Sequence, residues 1–315
     1  MANPYNILII MPVSIGDIVL TTPIVHQLRL KYPNSVINYA VQKGPYAQIL
    51  ENNSDIDKII LLEQDYLRII AQGNYLDSLQ KDIPNISLFD LVINFRDENG
   101  QVKQKDLKGK HVIYYFARKA GVLINDIRPK LYVSNKNIAE ANDIILNHGI
   151  TNTIIIIAPY CGFNKNENQN RGWCMDNFLY IIENLKKRYD VSFIVVGTKT
   201  DTPIKFSNTI NVLGYNLLTV AALIQRSALF IGVDSGVTHM AAGCSVPVID
   251  ILFPGLPELW HPATNEPFVV FSSRRKIRNY TSTNNCKKEK VLKYCCDLLD
   301  GKQEKSKFVR FYPWS

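Results

Sequence analysis

The sequence predicts an α/β protein of two doubly wound units, each a parallel sheet with helices on both faces, and three observations carry that expectation. The chain has 315 residues, too many for one ordinary domain and suited to two at roughly 150 residues each. Its residues are 46% hydrophobic and 20% charged, enough apolar side chains for packed cores and too little charge for disorder. Short apolar runs of strand length alternate with amphipathic stretches of helix length, the rhythm of parallel strands joined by crossover helices.

In order, NILIIMP reads as a strand, IVLTTPIVHQLRLKYP as a helix and SVINYAV as a second strand, which is a βαβ unit. Further strands are predicted at KIILLE, FDLVINF and KHVIYYF, with helices between them. NKNIAEANDIILNHG then reads as a polar helix, followed by TIIIIIAP, the strongest strand in the chain. The second half repeats the pattern: helix MDNFLYIIENLKKRY, strand VSFIVVG, a short strand at INVLG, helix LLTVAALIQRS, strand ALFIGVD, helix VTHMAAGC, strand VPVIDILF. The expected division is a first unit over 1–150, a second over 151–285 and a basic C-terminal helix and tail over 286–315.

The apolar stretch from Ile7 to Val25 is broken by Pro12, Gly16 and Asp17 and has no basic leader. It fits neither a signal peptide nor a membrane span, so a cytoplasmic chain is expected. The six cysteines contain no C-x-x-C pair, which points to reduced thiols rather than a disulfide framework or a zinc site. From Ser272 to Ser315 there are twelve Lys or Arg against four Asp or Glu, so the formal charge of +8 is concentrated there. Such a segment can be simply solvated, or can rest on anionic phospholipid at the inner face of the cytoplasmic membrane. No nucleic-acid-binding motif accompanies it, and no nucleic-acid partner is expected.

Open parallel sheets bind ligands beyond the carboxyl ends of their strands. There, IGVDSGVTHMAA runs from a buried strand through Asp234, Ser235 and Gly236 into a helix, where the backbone N–H groups of Gly236, Val237 and Thr238 can receive an anion. A helix cap by Asp234 or Ser235 is the plainer alternative. MPVSIGDIVLTTP makes the same kind of turn at Gly16 and places one carboxylate, Asp17, in it, as a cap or as a general base. The D-x-D pattern at Asp55 and Asp57 precedes a strand and reads as a surface turn, not a metal site. Trp260 and His261, in PGLPELWHP, read either as ligand-facing or as packing residues.

These segments resemble glycosyltransferase family 9, the bacterial heptosyltransferases of the lipopolysaccharide inner core. The resemblance rests on SIGDIVLTTP with Tyr32 and Pro33 after its helix, on Arg171 to Trp173, on VVG ending at Gly197, and on GVDSGVTHMAA with Pro247. It implies the GT-B architecture, two Rossmann-like domains facing a central cleft, and inverting transfer from a nucleotide-sugar, typically ADP-heptose. It implies Asp17 as the base that takes the acceptor's proton. It implies Arg171, where the family has Lys in K-x-W, with the Gly236, Val237 and Thr238 amides as holders of the donor diphosphate. Asp234 would border the donor sugar, and Tyr215 and Asn216 the nucleotide. Gly16, Ser235 and His239 would support these groups.

The function expected from this resemblance is transfer of a heptose or related sugar to a lipopolysaccharide core or other saccharide or protein acceptor, lipid-linked or not. Neither metal nor cofactor is expected. A nucleotide-sugar epimerase on the same scaffold and a non-catalytic nucleotide-sugar-binding protein are the alternatives.

Overall fold

The computed structural model describes residues 5–102, 109–161, 172–252, 256–272 and 286–310. The chain divides into two compact units, Met1–Tyr132 and Val133–Ser315.

The first unit opens with β1 (Asn6–Ile10), α1 (Ile15–Lys31) and β2 (Val36–Gln42), then α2 (Pro45–Gln48), β3 (Lys58–Leu62), α3 (Tyr66–Gln72), α4 (Tyr75–Asp82), a short 3-10 turn, β4 (Leu91–Asn94) and α5 (Val112–Ala120). Its four strands are all parallel, in the order β3-β2-β1-β4. Ile7 to Ile10 of β1 are fully buried, as befits a central strand covered on both faces. Asp55 and Asp57 clasp α1 to the sheet edge. Asp55 lies 2.9 Å from His26 Nδ1 and accepts from the Tyr132 hydroxyl, while Asp57 accepts from Arg29 and the Ile37 amide. The D-x-D carboxylates are thus engaged by protein groups.

One predicted strand is a helix. KHVIYYF is rich in β-branched and aromatic residues, but it opens α5, whose buried positions Val112, Ile113, Tyr115, Phe116, Ala117 and Ala120 include the i, i+3 and i+4 spacings of a helix. His111 caps the start, its Nδ1 accepting from the Ile113 amide, and Gly121 closes the end in the left-handed conformation. The buried face lies against α1, and that tertiary packing outweighs local strand propensity.

The second unit comprises α6 (Asn135–Asn147), β5 (Thr153–Ala158), α7 (Met175–Lys186), β6 (Val191–Gly197), β7 (Thr209–Leu213), α8 (Leu217–Gln225), β8 (Leu229–Val233), α9 (Gly236–Gly243), β9 (Val248–Leu252), α10 (Pro257–Trp260), β10 (Phe268–Ser272), α11 (Lys288–Leu299) and β11 (Lys307–Arg310). Its seven parallel strands run β11-β10-β9-β8-β5-β6-β7.

The division differs from the expected one at both of its internal boundaries. α6 belongs to the second unit, because Ser134 and Asn137 form a capping box at its start and Asn137 Nδ2 donates to Thr219 of α8. Nor is 286–315 an appendage. Val291, Leu292, Cys295 and Val309 are buried in the same core as Ile231 and Ile249, and β11 extends the sheet beside β10. All six cysteines are free thiols.

Candidate active site

Each sheet has one place where the chain reverses its direction of strand addition. In the first unit, β2 and β3 build outward from one side of β1 and β4 then pairs with the other side. In the second, β6 and β7 build outward from β5 and β8 takes its opposite side. The carboxyl ends of β1 and β4, and of β5 and β8, are therefore the two topological switch points, where loops diverge and leave room for a ligand. Asp17 stands at the first and Asp234 at the second.

At the first switch point β1 runs through Val13 and Ser14 into α1. Ser14 occupies the N-cap position but does not cap the backbone with its side chain; its hydroxyl donates instead to Asp17 Oδ2 at 3.1 Å. The same oxygen accepts from Arg96 Nη2 at 2.8 Å. Among the described residues Oδ1 has no hydrogen-bond partner.

Arg96 lies just past the end of β4, beside β1 because Ile10 is in register with Asn94. It is 9% exposed. Its Nε donates to the Val13 carbonyl at 3.1 Å, Nη2 also reaches that carbonyl, and Nη1 donates to the Gly100 carbonyl at 2.7 Å. Its own amide donates to Asn94 Oδ1, which also accepts from Tyr75, and Lys119 donates to the Asn94 and Arg96 carbonyls.

Gly100 makes this loop possible: its φ is +73° and a Cβ there would come within 2.5 Å of Ile70. Beneath α1, burial pushes the Tyr39 phenol far up; its hydrogen bond with Thr21 opposes, the charge of Asp17 adds, and that of Arg96 opposes again. Gly16 occupies the first turn of α1 beside Asp17. Sequence reasoning missed Arg96. The signal available to it was an Arg directly after an apolar strand, in FDLVINFRDENG.

At the second switch point β8 ends at Val233, and Asp234 and Ser235 lead into α9. Ser235 sits at the N-cap without a side-chain cap bond. The amides of Gly236 and Val237 have no hydrogen-bond partner among the described residues. The Thr238 amide donates to the Ser235 carbonyl at 3.1 Å, and the Thr238 hydroxyl to the Val233 carbonyl at 2.7 Å. Thr238, fully buried, is a latch of the turn, and the three expected anion-facing amides reduce to two.

The Asp234 side chain is about a quarter exposed, and its Oδ1 lies 3.9 Å from Nε2 of buried His239. Asp250 of β9, paired in register with Gly232, is fully buried, with neither oxygen hydrogen-bonded among the described residues. Burial first, and the charge of Asp234 second, hold its carboxyl well above the usual carboxylate range.

Arg171, and with it the turn after β5, lies outside the described residues. Trp173 is buried, donating from Nε1 to the Cys286 carbonyl and packing edge-on against Phe178. Tyr215 is exposed, whereas the Asn216 side chain caps α8 by accepting from the Leu218 amide. A capping role explains Asn216 without a nucleotide. His261 stacks on Phe268 at 5.2 Å and is a packing residue; burial lowers its proton affinity.

The sequence model of glycosyltransferase family 9 (heptosyltransferase) matches residues 111–290, more than half of the chain. The chain belongs to glycosyltransferase family 9. Among solved structures, a family 9 glycosyltransferase from Veillonella parvula is similar with a TM-score of 0.75 and 19% identity, over 96% of this chain and 99% of that one. The Escherichia coli ADP-heptose lipopolysaccharide heptosyltransferase II is similar with a TM-score of 0.71 and 17% identity, over 94% of this chain and 99% of that one. The E. coli heptosyltransferase WaaC solved with ADP gives 0.61 and 15%, over 93% and 99%. Comparison with curated protein sequences finds no match.

At these identities the structural likeness speaks for the fold: the two parallel-sheet units are those of a GT-B protein. Membership of family 9 makes the chain a glycosyltransferase and favours transfer over the epimerase and non-catalytic alternatives. A family 9 enzyme needs a nucleotide-sugar donor and a saccharide acceptor. The family match begins at His111, so Asp17 and Arg96 lie outside it and their roles rest on local geometry. Among the described residues no helix is long and apolar enough to cross a membrane, and no group of three or more His, Cys, Asp or Glu could hold a metal ion.

Proposed function

We propose that this glycosyltransferase transfers a heptose or related sugar, with inversion, from ADP-heptose or a similar nucleotide-sugar to a saccharide of the lipopolysaccharide core type. The observation that carries the reading is the Asp17 carboxylate, 13% exposed at a switch point, anchored through Oδ2 with Oδ1 open. As the acceptor oxygen bonds to the anomeric carbon, its proton passes to Asp17, and the bond from that carbon to the diphosphate breaks with its electron pair on the leaving group.

The Gly236 and Val237 amides at the head of α9 are suited to that developing negative charge, with Arg171 as the cationic partner and Asp234 beside the sugar. Fixed N–H dipoles and a guanidinium stabilise it without a metal. The lipid-linked acceptor and the contact of 272–315 with an anionic membrane at the cytoplasmic face belong to the same proposal, supported by the concentrated positive charge.

The test separates chemistry from binding. Asp17→Asn is expected to lower kcat by about 10²- to 10⁴-fold, the usual worth of a general base, while ADP-heptose binding by calorimetry stays unchanged. Full transfer by the variant would remove Asp17 from the chemistry.

A further inference from the structure

The guanidinium of Arg96 spends its hydrogen-bonding capacity inside the protein. It is directed at two backbone carbonyls, Val13 and Gly100, and at one oxygen of Asp17. The residue is buried, and its backbone is pinned by Asn94 and Lys119. A guanidinium so committed is poorly placed to receive a substrate phosphate, and the one reactive group it touches is Asp17. Val13, whose carbonyl it binds, lies four residues before Asp17 in the turn that carries the carboxylate. The planar fork thus fixes both the turn and the carboxylate from a single rigid group.

We propose that Arg96 is the positioning residue of this enzyme's base. It holds Oδ2 of Asp17, together with the Ser14 hydroxyl, so that Oδ1 is the atom presented to the acceptor hydroxyl. In the transfer step the proton leaves that hydroxyl for Oδ1, while Arg96 keeps its own protons and its bonds to Oδ2 and the two carbonyls. This rests on the reading of Asp17 as the base. It adds that the carboxylate is catalytically competent only when clamped.

The experiment uses the full chain with ADP-heptose and a lipopolysaccharide inner-core acceptor. Arg96→Ala is expected to lower kcat by about 10- to 100-fold, the scale of a reacting group displaced by roughly 1 Å, with the donor KM changed less than about twofold. Guanidinium chloride below its denaturing range is expected to restore part of the lost kcat. Arg96→Lys, which keeps the charge and loses the fork, is expected to fall between the parent and Arg96→Ala; it also serves as the reading if the alanine variant does not fold.

In an Asp17→Asn background, Arg96→Ala should lower kcat no further, because a residue acting through Asp17 has nothing left to position. Unchanged kcat in Arg96→Lys and Arg96→Ala would overturn the proposal. So would a fall without guanidinium rescue that adds fully to that of Asp17→Asn. An active Asp17→Asn would instead bring down the base assignment itself, which keeps the two failures apart.

Discussion

The two switch points solve the same topological problem with different materials. At the β1/β4 ends a Ser-led turn enters α1, and its carboxylate is gripped by a buried cation arriving from the neighbouring strand. At the β5/β8 ends a Ser-led turn enters α9, and its carboxylate is a quarter exposed, with a histidine nitrogen 3.9 Å from it. A buried acid, Asp250, also lies by that second turn. The first site is built to hold one charged oxygen still. The second is built from backbone amides, with negative charge kept low beneath them. A group that must accept a proton needs the former, and a receptor for an anionic leaving group needs the latter.

The sharpest way to break this contrast is through stability. Arg96 and Asp17 are 9% and 13% exposed as side chains, so removing the cation leaves a nearly buried carboxylate without its ion partner. Loss of one partner of a buried pair costs about 3–5 kcal/mol, and Arg96→Ala is expected to lose an amount of that order in urea denaturation. Asp234→Ala at the second site, where the side chain is about a quarter exposed, is expected to lose less, because solvent screens a more exposed carboxylate. Equal losses at the two sites would mean that the first is no more charge-clamped than the second.

Next in size is Gly100. Alanine there faces both a positive φ and a 2.5 Å approach to Ile70, and the left-handed conformation with an added methyl in a packed site costs about 2–3 kcal/mol in all. Because the Gly100 carbonyl holds Arg96, Gly100→Ala is also expected to lower kcat while leaving donor binding intact. A destabilised variant with the parent's kcat at a temperature where it remains folded would separate the loop from the clamp.

How far the sequence revealed these sites follows from where the relevant contacts lie in the chain. Asp17 and the turn from Asp234 to His239 stand out in the sequence as candidates because each lies in a contiguous strand-turn-helix segment that brings Gly, Ser and Asp within a stretch of four residues. Both lie at the switch points that strand order alone defines. Arg96 was not legible, since its partner is 79 positions away and the two meet only once β4 pairs with β1. KHVIYYF misled for the opposite reason: its composition favours a strand, and only the seat against α1 selects the helix. The boundary near 151 failed because α6 is polar enough to resemble a linker, while its few buried residues, Asn137, Ala141 and Ile144, suffice to bind it to the second unit. Thr238 lies in the same motif, but its amide donates within the turn, which motif spacing does not encode.

The smallest effect, and the one that probes the second site most directly, concerns Asp250. Its folded-state proton affinity is raised, by burial and then by Asp234, while in the unfolded chain a carboxyl titrates near about 3.9. Between those two values the folded state binds the proton that the unfolded state has lost, so stability falls as pH rises. The contribution is fully present below the unfolded value and drains away through the interval up to the raised folded value. Asn at 250 has nearly the same shape and never ionises. Asp250→Asn is therefore expected to match the parent closely near pH 4 and to be progressively more stable than it toward neutral pH, in thermal denaturation followed across that range. Asp234, just past the end of β8 and the charge that acts on Asp250, is common to both proteins, so its own titration largely cancels in the difference. Parallel curves for the two proteins would mean that Asp250 carries no raised proton affinity, and that negative charge beneath the α9 turn is not suppressed as the contrast between the two switch points requires.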